Sequence, residues 1–232
     1  MRYAVKWSKD AMMQYISHLD MMRLFQRALK RAKIPLMYSQ GYSPHPKMSI
    51  AQPLSLGYTS KGEYLEIETA KDIEPFLLQQ SLQQALPKGI GIESCRVLER
   101  TKKALGALVD YAAYEIRFPM ALPSQWEQVC RAAAAFQKAE RVMVQRLQKK
   151  SATIQMVDIK PLTEKLSVKE QGQCLEALIC TGSRKNLSPQ LLLEGLSGFA
   201  QEGKWPGEVR ICRKELYTTL SDGKLLALWR LS

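Results

Sequence analysis

The hydrophobic and polar positions of the first hundred residues follow two periods. Tyr3, Val5 and Trp7 fall on one side of residues 2–8, which is the two-residue period of a half-buried strand. After Ser17, apolar residues recur every third or fourth position until Pro35, which is typical of an amphipathic helix. The same patterns predict a short strand at 36–39, strands at 48–56, 63–69 and 90–98, and a second helix at 72–86.

The second half repeats this order more loosely. Strands are predicted at residues 110–118, 142–147 and 152–161, within 166–181, and at 209–216 and 224–231; helices are predicted at 123–139 and 188–201. The element order predicts an α+β fold of two tandem ferredoxin-like (βαββαβ) domains. Residues 1–100 would form the first domain and 109–232 the second, joined by a charged and then Gly/Ala-rich linker at 101–108.

The composition of the chain indicates a folded core and a basic surface. The chain has 232 residues, of which 46% are hydrophobic and 24% are charged, and these values favour a globular protein over a disordered one. Its net charge is +12, and residues 1–50 alone hold nine Lys or Arg against two Asp, a net of +7. This excess predicts attraction to a polyanion, and places the contact in the N-terminal part.

Cysteine usage and the N-terminus predict a cytoplasmic protein with no membrane partner. The first ten residues are charged and have no apolar signal core, and no stretch has the roughly 18 apolar residues of a membrane span. The five cysteines form neither a CxxC pair nor a CxxxCxxC cluster. Small buried thiols in a reducing compartment are the simplest interpretation, and no cofactor is predicted.

One face of the first helix is predicted to be cationic. Arg23, Arg27, Lys30 and Arg31 are spaced i, i+4, i+7 and i+8, opposite the apolar stripe. No acidic residue follows Asp20 in this helix, so the repulsion between like charges is relieved best by an anion. We therefore predict a surface for a nucleic-acid phosphate backbone, which Lys33 and Lys47 extend.

A Pro-His-Pro loop follows the helix and supplies more specific contacts. His45 lies between two prolines, which hold the segment extended and lower the entropy lost on ordering. Tyr42 and Ser43 add an aromatic ring and a hydroxyl to the same loop. We predict that these three residues contact the nucleic acid beside the helix.

The chain has only two histidines, and both lie in this region, so a catalytic alternative stays open. His18 is predicted at the first helical position, after a capping box that Ser17 and Asp20 form. With His45, it would supply the general base and acid of a metal-independent RNA endonuclease. A metal site from His18, Asp20 and His45 is a weaker alternative, because the ligands lack the i, i+4 spacing of helical sites. No metal is predicted.

Three segments resemble one family. SHLDMMRLFQRALKRAKIPLMYSQGYSPHPKMSIAQPLSLG at 17–57, GEYLEIE at 62–68 and VDIKPL at 157–162 are similar to the radical-SAM-linked proteins, bacterial DUF2344-type domains of unknown function. In that family the domain is either a separate protein or fused behind a radical SAM enzyme. The resemblance implies the separate form here, and an accessory role beside such an enzyme. Without a CxxxCxxC cluster, this chain has no ligands of its own for radical chemistry.

These observations give three function hypotheses. The leading one is an accessory protein that binds structured RNA and presents it to a radical SAM modification enzyme. The second is the RNA endonuclease that uses His18 and His45. The third is a protein adaptor that docks on a radical SAM enzyme without binding RNA.

Overall fold

The computed structural model describes residues 1–99, 103–119, 121–147, 153–200 and 208–231. These residues form a mixed α/β structure. Along the chain the elements are β1 (Arg2–Lys9), α1 (His18–Arg31), β2 (Met48–Ile50), β3 (Thr59–Glu68), α2 (Pro75–Ala85), β4 (Ile90–Leu98), β5 (Tyr111–Arg117), α3 (Pro123–Lys138), β6 (Met143–Leu147), β7 (Ile154–Asp158), β8 (Thr163–Lys169), β9 (Cys174–Cys180), α4 (Pro189–Ser197), β10 (Arg210–Thr219) and β11 (Leu225–Ala227). None of the described helices combines the length and the apolar character needed to cross a bilayer.

The chain divides into two compact units. Unit 1 comprises Met1–Val109 and Arg213–Ser232, and unit 2 comprises Asp110–Cys212. Unit 1 contains a large sheet in which the strands follow the order β4-β1-β3-β10. β1 is antiparallel to β3 and β4, β2 pairs with β3, and β11 pairs with β10.

Helices α1 and α2 supply the apolar core of unit 1 together with the sheet. Tyr3, Val5 and Trp7 are buried, as their alternation predicted. Trp7 packs edge to face on Phe25 of α1, with ring centroids 4.9 Å apart. Burying a large apolar side chain stabilises the fold by about 1.5–3 kcal/mol, so this core fixes α1 on the sheet. Other members of the core are Met21, Leu29, Leu65, Ile67, Leu78, Leu82, Ile90 and Ile92.

Several boundaries in unit 1 differ from the predicted ones. β2 ends at Ile50 instead of residue 56, and Pro53, which has no N–H for a ladder, follows soon after. The second helix begins at Pro75 instead of residue 72, because the Glu74 carboxylate accepts a hydrogen bond from Leu77 N at 2.9 Å and caps it. The predicted strand at 36–39 is reduced to isolated bridges.

Part of the predicted linker packs on unit 1. Leu105–Leu108 form one turn of 3-10 helix, and the Leu105 side chain is buried. The Leu105 N–H donates to Glu66 Oε2 at 2.9 Å, and Arg2 holds the same carboxylate at 2.6 Å. Residues 100–102 lie outside the described residues. The boundary between the units, after Val109, lies beside the predicted linker. The segment from Arg213 onwards belongs to unit 1. The linker at 101–108 and the second domain at 109–232 stay predictions.

Unit 2 contains three antiparallel strands of the nine-stranded sheet. Its strands follow the order β5-β9-β8, and β6 and β7 form a separate antiparallel pair. The Ser188 hydroxyl accepts from Leu191 N at 3.2 Å and caps α4, as predicted from Ser188 and Pro189. β8 was not predicted as a strand of its own, because Leu166 is its only buried residue and the alternation is too weak to detect.

Candidate nucleic-acid interface

Helix α1 begins as its sequence predicted. The Ser17 hydroxyl accepts a hydrogen bond from Asp20 N at 3.2 Å and donates one to Asp20 Oδ2 at 2.7 Å. These bonds satisfy one of the free N–H groups of the first turn and fix the start of the helix at His18. Hydrogen bonds from Ser17 and then Arg23 lower the pKa of the Asp20 carboxyl.

The cationic face of α1 consists of Arg23, Arg27, Lys30 and Arg31, and all four side chains are exposed. Arg23 forms a 3.2 Å ion pair with Asp20 at the surface. Arg31 donates to the Ala85 carbonyl oxygen at 2.6 Å and so supports the end of α2. Within the described part of the chain, neither Arg27 nor Lys30 has a hydrogen bond or an ion pair to its side chain. Two of the four cations are therefore held by the protein and two are available to an anion.

The end of α1 is a two-bond C-terminal cap. Lys33 N donates to the Lys30 carbonyl at 3.1 Å, and Ile34 N donates to the Leu29 carbonyl at 3.0 Å. Lys33 adopts a φ of 55°, the left-handed conformation in which glycine is usual at this position. The exposed Lys33 lies in this turn, which leads through Pro35 into the loop.

Replacing Lys33 with glycine should stabilise the protein. Glycine adopts positive φ without the clash of a Cβ atom, so we expect the free energy of unfolding to rise by about 0.5–1 kcal/mol. Urea denaturation of Lys33→Gly beside Lys33→Ala measures this, since alanine removes the charge but keeps the Cβ atom. Equal stability of the two variants would contradict a backbone effect.

The Pro-His-Pro loop is closed at its base by hydrogen bonds that backbone N–H groups donate. Ser39 N donates to the His45 carbonyl at 2.8 Å, and His45 N donates to Ser39 Oγ at 3.0 Å. Lys47 N donates to the Met37 carbonyl at 2.7 Å. The side chains beyond this base are exposed; among them are Tyr42, Ser43 and His45. The loop thus presents an aromatic ring, a hydroxyl and an imidazole on a backbone that is fixed at both sides.

Lys47 is less available than the other predicted cations. Its ammonium forms a 3.2 Å ion pair with Glu68 at the end of β3, and both side chains are partly exposed. An exposed pair of this kind is worth at most about 1 kcal/mol, so a phosphate is able to compete for Lys47.

The two histidines occupy different places in unit 1. His18 is the first residue of α1 and lines a small cavity with Trp7 and Lys9 of β1. His45 belongs to the loop after the other end of the helix, and no hydrogen bond joins the two rings in the described residues. The same residues contain no group of three or more His, Cys, Asp or Glu side chains that could hold a metal ion.

Unit 1 contains a buried cluster of charged residues that the sequence patterns did not predict. Glu63 of β3 and Arg213 of β10 are each 1% exposed at the side chain; Arg213 Nε donates to Glu63 Oε1 at 2.7 Å, and its Nη2 donates to Oε2. Lys9 is 3% exposed, and burial lowers the pKa of its ammonium, while the Glu63 carboxylate opposes this shift. The one sequence feature that pointed to this cluster was a charged residue in each of two predicted strands. Glu63 and Arg213 are 150 positions apart, so the sequence patterns did not predict that they pair.

Aromatic side chains in unit 1 divide into exposed and core residues. Tyr38 and Tyr42 are exposed, whereas Tyr58 and Tyr64 are buried. The Tyr64 hydroxyl donates to Glu215 at 2.6 Å, and burial together with this carboxylate raises the pKa of the phenol. Of these four rings, those of Tyr38 and Tyr42 are placed to stack on a ligand from solvent.

A comparison with models of protein families identifies the family of this chain. A family model described as "Uncharacterized protein conserved in bacteria (DUF2344)" matches residues 2–189, which is most of the chain. Among curated proteins, none matches this chain.

Proposed function

We propose that this chain, which belongs to the DUF2344 family of uncharacterised bacterial proteins, is an RNA-binding accessory protein. The observation that carries the proposal is the cationic face of α1, where Arg27 and Lys30 are exposed and have no ion pair among the described residues. Like charges one turn apart on a helix repel one another, and a phosphate backbone relieves that repulsion. Arg23, Arg31, Lys33 and Lys47 extend the same positive surface.

The Pro-His-Pro loop supports RNA in particular. Phosphate contacts position a nucleic acid, and contacts to unstacked bases specify it. Tyr42 offers a ring for stacking, and His45 and Ser43 offer hydrogen-bonding groups, on a loop whose base is already ordered. Lys33 and the loop are joined by only a few residues, so a strand bound along α1 continues towards these side chains.

The accessory role rests on the resemblance to radical-SAM-linked proteins. We propose that the bound RNA is a structured substrate, presented to a radical SAM enzyme that supplies the chemistry. A cytoplasmic location fits this role, and the five cysteines are all free thiols, as a reducing compartment maintains them.

A ferredoxin-like assignment of both units forms part of the proposal. In unit 1 the elements β1, α1, β2, β3, α2 and β4 follow the βαββαβ order, and the strand order is β4-β1-β3 with β2 beside β3. In unit 2 the elements β5, α3, β8, β9 and α4 follow the first five positions of this order if the hairpin β6–β7 is an insertion after α3; β10 comes next, and its residues 210–212 belong to unit 2.

Filter binding across a salt series tests the proposal. We expect the protein to bind total cellular RNA more tightly than duplex DNA, with log affinity falling linearly against log salt concentration. A slope corresponding to several released counterions is expected from the six cations of this surface. Weak binding with no preference for RNA would contradict the proposal, and a stable complex with a radical SAM enzyme would then favour the adaptor hypothesis.

The endonuclease hypothesis is tested in the same samples. An accessory protein leaves the bound RNA intact, so gel analysis should show no new fragments over the course of binding. If fragments form, His45→Ala should abolish cleavage and leave binding largely unchanged. Cleavage that persists in the double variant His18→Ala, His45→Ala would exclude both histidines and point to a contaminating nuclease.

A further inference from the structure

A cavity of about 10 Å³ lies in unit 1 beside the N-terminus of α1. Trp7 and Lys9 of β1, and Ser17 and His18 at the start of the helix, give it its polar lining. This volume is about that of one water molecule or of a single ligand oxygen atom. The apolar part of the lining comes from Ile16, Met21, Ile50 and Leu54.

The Trp7 indole is the group that points to a ligand. Trp7 is 1% exposed, and its Nε1 atom is buried with no hydrogen-bond partner among the residues that the structure describes. A buried indole N–H usually has an acceptor, because a donor removed from water without one is strongly unfavourable. Trp7 lines the cavity, so an acceptor that occupies the cavity lies beside this indole.

Lys9 adds a second donor and a positive charge. Its ammonium donates to the Gln14 carbonyl at 3.2 Å and to the Ile16 carbonyl at 3.4 Å, and these two bonds leave a third N–H. Lys9 interacts with the buried pair of Glu63 and Arg213, and the three groups together carry a formal charge of +1. An acceptor beside Lys9 is therefore favoured if it is negatively charged.

The start of α1 completes the set of donors. The Ser17 hydroxyl and carbonyl accept from the N–H groups of Asp20 and Met21, so the N–H groups of His18 and Leu19 have no acceptor inside the helix. The helix dipole adds partial positive charge at the same place, in a helix of 14 residues. The nearby Asp20 carboxylate is already occupied by Ser17 and Arg23.

We propose that this cavity is an oxyanion site that binds a phosphate group. One phosphate oxygen accepts hydrogen bonds from Trp7 Nε1 and Lys9 Nζ inside the cavity, and the other oxygens face the N–H groups of His18 and Leu19. Free phosphate and the terminal phosphate of an RNA chain share this chemistry. The site is independent of RNA binding by the cationic face.

The test follows the indole ¹⁵N–¹H resonances during a titration with inorganic phosphate, at constant ionic strength set by chloride. We expect a saturable downfield shift of the Trp7 indole proton, because it gains a charged acceptor. The indole of Trp126 in α3 is the internal control and should not move. Trp7→Phe assigns the resonance, and the Leu19 amide then reports the phosphate affinity of that variant, which should fall by about tenfold.

A second variant covers the case in which Trp7→Phe perturbs the core. Ser17→Asp keeps a good N-cap residue and places a carboxylate at the mouth of the cavity, so phosphate affinity should again fall by about tenfold while the fold is retained. A short RNA with and without a 5′-phosphate identifies the source. A Trp7 shift only with the phosphorylated RNA assigns the site to RNA ends, and a shift only with inorganic phosphate assigns it to the free anion.

Three results would contradict the proposal that this cavity binds phosphate. The first is a Trp7 indole proton whose resonance does not shift when phosphate is added. A resonance that lies upfield because the N–H is on the Phe25 ring, and that stays there during the titration, counts as this result. The second is an equal response to chloride. The third is wild-type phosphate affinity in both Trp7→Phe and Ser17→Asp. The double reversal of Arg27 and Lys30 to Glu leaves Arg23 on Asp20 and should keep the phosphate response, so failure of RNA binding and failure of this site are distinguishable.

Discussion

Glu63→Gln should lower the free energy of unfolding by about 3–5 kcal/mol. Glutamine has the same shape as glutamate, so the loss comes from charge and not from a cavity. Without the Glu63 carboxylate, the buried cations Arg213 and Lys9 lose the negative charge that faces them both. Arg213→Met should be less damaging, because Lys9 then remains as a cation beside Glu63.

Chemical denaturation of four proteins measures this effect: wild type, Glu63→Gln, Arg213→Met and the double variant Glu63→Met, Arg213→Met. The double variant should recover part of the loss, since replacing a buried pair by apolar residues is often close to neutral. Glu68→Gln is the matched control, because it lies on the same strand and breaks the partly exposed pair with Lys47. It should change stability by at most about 1 kcal/mol. A Glu63→Gln variant as stable as Glu68→Gln would show that the pair is not structural.

Reversing Arg23, Arg27 and Lys30 to Glu should lower RNA affinity by about a hundredfold and reduce the salt slope by about two. The three side chains are exposed on one face of α1, so the reversal removes phosphate contacts and repels the backbone. Arg31 is left unchanged, because its guanidinium supports the Ala85 carbonyl of α2 and its loss would disturb the fold.

The matched control reverses three exposed cations of unit 2. Arg131 and Lys138 lie on helix α3 and Lys165 on strand β8, so the control has the same change in net charge. It should weaken RNA binding only slightly and keep the salt slope. Equal losses in the two triple variants would mean that net charge, and not the cationic face of α1, governs binding. Thermal unfolding of both variants shows whether the fold is retained.

Local sequence determined α1 and the chemistry of its surface. The Ser17 cap, the apolar stripe and the spacing of Arg23, Arg27 and Lys30 all act within a few residues, so periodicity and capping rules suffice to predict them. The alternation of Tyr3, Val5 and Trp7 likewise predicted β1, because one face of that strand is buried. The same rules failed for β8, where burial is limited to Leu166.

Only the tertiary structure decided which distant groups meet. Glu63 and Arg213 are 150 positions apart, and neither local pattern carries information about a partner on another strand. The cavity beside α1 depends equally on packing, since Trp7 and Lys9 of β1 meet Ser17 and His18 of the helix there. Sequence therefore determined the strongly patterned elements and the charged face, through interactions between near neighbours. Close packing of distant segments decided where a charge or an N–H is buried.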